Sequence, residues 1–70
     1  MQKNTMVELR GYRSRQDFDK GRAVEVDTRL HKFTHAQEIA RTLVLKGEFT
    51  IVALADMGAV KPIQVIGLEN

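Results

Sequence analysis

The chain has no cysteine and no tryptophan, and proline and tyrosine occur once each. Without cysteine there is no disulfide framework, thiol nucleophile, zinc ribbon or iron–sulfur cluster. Small secreted domains commonly need such staples, so a reducing cytoplasm is the expected setting. Long apolar runs are also lacking. Residues 51–55 are among the longest, far short of the ~20 needed to cross a bilayer. Residues 1–5, expected to be a flexible N-terminus, lack the apolar region of a signal peptide. No membrane association is expected.

Catalytic signatures are missing as well. There is no nucleophile elbow, P-loop or dinucleotide fingerprint. The five glycines are scattered singly along the chain, so none forms a phosphate-cradling loop. His31 and His35 are four apart but have no third histidine to join them, and carboxylates such as Asp27 would have to complete a metal site. Asp17 and Asp19, beside Arg15 and Lys20, are expected to neutralise their neighbours. The expectation is therefore no enzyme, no cofactor, no bound metal and no small-molecule substrate.

What remains is 70 residues, 43% hydrophobic and 29% charged, with a net charge of +2. That length suits one small α+β domain. It buries only about 60% of its unfolded surface, which leaves a lone monomer marginal. The charge is uneven. Residues 1–32 hold eight Lys and Arg against five Asp and Glu, whereas 33–70 hold three against four. The basic character belongs to the first half.

Hydrophobic periodicity predicts the order ββαββ. In 6–12, Val7 and Leu9 alternate with Glu8 and Arg10, as a half-buried strand requires. Gly11 weakens that strand or allows a bulge. Residues 13–21 read as a polar connection with a turn at Asp19-Lys20-Gly21. Residues 22–30 alternate again, with Val24, Val26, Thr28 and Leu30 on one face, so the two strands form an antiparallel hairpin. Thr34-His35-Ala36-Gln37 fits a helix-capping box. Ala36, Ile39, Ala40 and Leu43 follow as one apolar stripe, and Lys46-Gly47 supplies a C-terminal stop. Residues 49–55 and 61–68 complete the sheet, separated by a turn at 56–59, with Pro62 near the start of the last strand and a tail at 69–70. One helix packs on one face of an antiparallel or mixed four-stranded sheet.

One helix cannot cover four strands on both sides. Val52, Leu54, Ile66 and Leu68 are therefore expected to form a second apolar face, covered first of all in a homodimer and otherwise by another partner, unless the sheet curls and they complete a small core. The best functional candidate is the basic hairpin: Arg10, Tyr12, Arg13 and Arg15, with Lys20 and Arg22 returning across it. Guanidinium forks suit phosphates and carboxylates, and a tyrosine can stack on a base. These residues suggest a non-catalytic interaction module that binds nucleic acid or an acidic protein surface. In length and element order the chain also resembles small phage- or plasmid-type accessory proteins. That resemblance implies an alternative, an inhibitor docking on a larger host protein through an apolar sheet face or edge.

Overall fold

The computed structural model describes residues 6–26 and 29–68. Five strands and two helices follow in chain order: β1 (Met6–Tyr12), α1 (Arg15–Asp19), β2 (Val24–Glu25), β3 (His31–Lys32), α2 (Phe33–Leu45), β4 (Ile51–Ala55) and β5 (Gln64–Ile66). Every pairing is antiparallel, and the sheet runs β2-β1-β4-β5 with β3 also on β1. The expected small α+β domain is thus present, with α2 packed on one face of the sheet. Its first strand lies in the middle, and α2 carries the chain across it from β3 to β4.

The expected single strand over 22–30 is instead two short ones, each paired with β1. Arg10 faces Glu25 and Met6 faces Lys32. That is four steps along β1 against seven along its neighbour, so the two registers cannot belong to one uninterrupted strand. Asp27 and Thr28 of the expected alternation lie outside the described residues, as do 1–5 and 69–70.

The helix forms where the stripe placed it, with different caps. Ala36 and Ala40 are fully buried, and Phe33, Ile39, Leu43 and Val44 pack around them. The expected capping box is absent. The N-cap is Lys32, which offers no side-chain cap bond, and Thr34 is already inside the helix and exposed. Strand β3 runs straight into α2, so the first helical residue is Phe33, and packing on the core fixes the start instead of a hydroxyl. At the other end Gly47 N–H donates to Val44 and Glu48 N–H to Leu43, with Gly47 at φ +79. This is the complete Schellman pattern that the Lys46-Gly47 pair suggested.

Strand β4 is buried along its whole length. Beneath α2, Val52 and Leu54 join Val7, Leu9, Ala36 and Ala40 in the main core, with Ile66 against them. Val52 and Leu54 have no exposed surface in the single chain. The sequence reading therefore had the faces of β4 inverted: these two side chains do not line an uncovered face. Ile51 and Ala53 point to the opposite side, where Tyr12, Phe18, Val65 and Leu68 surround them. Two features cover that side without a second large helix. The short α1, read in sequence as a connection, lays Phe18 on Tyr12. In the middle of the sheet, Arg10 lies directly across from Ala53 and Glu8 from Ala55. Their half-buried side chains lie over alanines small enough to leave them room.

Candidate interaction surface

The residues expected to form one basic platform divide into two groups. Arg10 and Tyr12 belong to the sheet. The Arg10 side chain is 20% exposed, and its Nε donates to Glu8 Oε2 at 3.4 Å. Glu8 Oε1 accepts from the Gly58 backbone N–H at 3.0 Å. That bond, and then the Arg10 guanidinium, hold the Glu8 carboxyl below its usual value. Arg10 is therefore committed to tying β1 to the turn after β4. Tyr12 is 8% exposed, and its ring meets Phe18 edge-on with centroids 5.1 Å apart. A buried ring held in this way offers no face to a base, so the stacking platform expected at Tyr12 does not exist.

Arg13, Lys20 and Arg22 are different: all three are exposed, and none is in an ion pair among the described residues. The connection that carries them is well fastened. Ser14 Oγ accepts from Asp17 N–H at 3.0 Å and caps α1. Gly21 N–H donates to the Phe18 carbonyl, and Arg22 N–H to the Asp17 carbonyl at 2.8 Å. The Arg13 carbonyl accepts from Thr50 Oγ1 at 2.9 Å, and the Tyr12 carbonyl accepts from Thr50 N–H. Arg15 pairs with Asp19 at 3.2 Å across one turn of α1, so this acid neutralises a neighbour as expected. Asp17 lies on the same short helix.

Sequence reasoning missed α1 itself. The signal was present in Ser14-Arg15-Gln16-Asp17, a cap residue with an acid three places on, followed by the lone aromatic Phe18. The α2–β4 connection reaches the same end of the sheet through Thr50 and adds Lys46 and Glu48, both exposed. This end thus collects Arg13, Arg15, Lys20, Arg22 and Lys46 against Asp17, Asp19 and Glu48. Cations outnumber carboxylates five to three.

Comparison with known protein families, curated proteins and solved structures gives no match. The functional reading therefore comes from the chain's own residues.

The histidines are neighbours, with ring centroids 5.5 Å apart. No third histidine, cysteine or carboxylate joins them in a metal-holding group among the described residues. Beside His35, the residues Glu38, Ile39, Thr42 and Leu43 line a shallow open groove of about 290 Å³ on the flank of α2. No helix among the described residues is long and apolar enough to cross a membrane. Of the expected apolar interface, Ile66 and Leu68 are half-buried, one on each face of the sheet. The four residues thus form no common surface.

Proposed function

We propose that this chain is a non-catalytic interaction module that engages an anionic macromolecular surface through the β1–α1–β2 connection. One observation carries the reading: Arg13, Lys20 and Arg22 are solvent-exposed and in no ion pair among the described residues, on a backbone fixed by a cap, a ring contact and two cross-connections through Thr50. Cations on a pre-ordered segment lose little further freedom when they meet their partner, so more of their attraction appears as affinity. The alternative of an apolar sheet face docked on a host protein has lost its main support, because Val52 and Leu54 lie inside the core.

The test is binding of model polyanions, an acidic peptide and a DNA duplex, followed by fluorescence anisotropy at low salt. Wild type should bind at least one of them, with affinity falling as salt rises. The Arg13→Glu, Lys20→Glu, Arg22→Glu triple variant should keep its fold, since exposed charges contribute little to stability, and lose that binding. Equal binding by the triple variant and wild type would place the interaction elsewhere. No binding to either probe at low salt would overturn the proposal.

A further inference from the structure

The basic end is not uniformly positive, and this bears on what it fits. Asp17 lies on α1 between Arg13 and Lys20 in sequence, and Glu48 stands on the neighbouring loop. Neither carboxylate is in an ion pair among the described residues. Among the described residues the surface thus offers groups of both signs that are in no ion pair, with cations in excess. A nucleic-acid duplex presents one negative charge for about every 1.7 Å of its axis. Carboxylates set among the cations would face that phosphate array and repel it. A protein surface can place its own lysine or arginine opposite Asp17 or Glu48 while its carboxylates meet Arg13, Lys20 and Arg22, the arrangement that fixes register and excludes wrong partners.

The aromatic residues point the same way. Single-stranded nucleic acid is held largely by bases stacking on exposed rings. Tyr12 is buried against Phe18, Phe18 is half-buried on the sheet, and Phe49 is half-buried against the helix core. Tyr12 is closed to a base, and the core takes up part of each phenylalanine. Two of the cations in no ion pair among the described residues, Arg13 and Arg22, are arginines, whose planar fork matches a carboxylate in two parallel hydrogen bonds.

We infer that the partner is a protein, met through an acidic segment whose carboxylates contact Arg13, Lys20 and Arg22 while Asp17 and Glu48 fix its register. This rests on the reading of the connection as an anion-binding surface, and the experiment separates the two. Three labelled probes of equal total charge are titrated at low and at moderate salt: an Asp- and Glu-rich peptide carrying one lysine, a DNA duplex and a DNA single strand. The peptide should bind at least about tenfold more tightly than either nucleic acid. Arg13→Gln with Arg22→Gln should remove most of that affinity, and this mild pair serves if the triple reversal does not fold. Asp17→Asn with Glu48→Gln should narrow the gap by strengthening nucleic-acid binding. Tighter binding of either nucleic acid by wild type would overturn this inference and leave the anion-binding surface standing. Failure of every probe would overturn both.

Discussion

Gly11→Ala is a sharp test of how β1 meets the core. Gly11 sits on the helix side of β1, opposite Val24 and Val52, and its φ is not positive. Alanine would therefore be conformationally acceptable. The obstacle is space: a Cβ at this position would stand 2.5, 2.6 and 2.8 Å from three ring carbons of Phe49. Carbon atoms pack at about 3.5–4.0 Å, so the ring must retreat by roughly 1 Å. Phe49 is only half-buried and can move, but its contacts with the core go with it. Overpacking of this kind costs about 1–3 kcal/mol. Removing glycine from a strand interior returns about 0.5–1 kcal/mol. Taking the middle of both ranges, the expected net loss is about 1 kcal/mol, a fall in urea midpoint on the order of 1 M for a chain this small. In a Phe49→Leu background the ring is gone, and Gly11→Ala should become neutral or slightly stabilising, giving a coupling energy above about 0.5 kcal/mol. An unchanged midpoint with Phe49 present would refute the reasoning, as would the same loss in both backgrounds.

Four further outcomes follow from the same geometry. Lys32→Asp supplies the missing N-cap acceptor of α2 and replaces a cation at the positive end of the helix, and should raise stability by about 1 kcal/mol. Thr34→Ala should stay within about 0.5 kcal/mol, and denaturation midpoints showing a larger loss would mean that Thr34 caps after all. Leu54→Glu places a charge at a site with no exposed surface and should cost more than about 4 kcal/mol. Circular dichroism should show an unfolded chain, and a folded variant would put Leu54 outside the core. Glu8 has a folded pKa below its ordinary 4.5, so its ionised form stabilises the fold above that pH, and the stabilisation is lost as pH falls through the lower folded value. Glu8→Gln should therefore be less stable than wild type at neutral pH, with the gap closing below about pH 4.5; a gap constant down to pH 3 would exclude this role.

The helix was legible because Ala36, Ile39, Ala40 and Leu43 repeat at helical spacing whatever surrounds them. Gly47 was legible because a left-handed cap admits few other residues. The faces of β4 were not, because Ile51 and Val52 are equally apolar and alternation cannot say which side a helix will cover. That choice was made by Ala53 and Ala55, whose small side chains accept Arg10 and Glu8 above them but would leave gaps beneath α2. The same reasoning explains Tyr12. A tyrosine among arginines looks exposed in sequence, yet the five-residue α1 brings Phe18 back over it. Arg13, Lys20 and Arg22 were identified as charged candidates from composition. That Arg10 belongs to a separate ion pair depended on Gly58, which is distant in the chain and close in space.

The central place of β1 has a kinetic consequence. This first strand lies between β2 and β4 and also pairs with β3; β2 and β3 follow it closely in the chain, and β4 does not. The β1–β4 pairs, from Tyr12 with Ile51 to Glu8 with Ala55, join residues separated by more than half the chain. Closing that loop comes at an entropic cost before any contact across it rewards the chain, so the rate-limiting event should be docking of β4, carried in by α2, against a strand made first. During synthesis β1 must wait for the chain beyond α2. Until then Val7 and Leu9 have only a partial cover, and one hydrogen-bonding edge of their strand is open to pairing with a neighbouring chain.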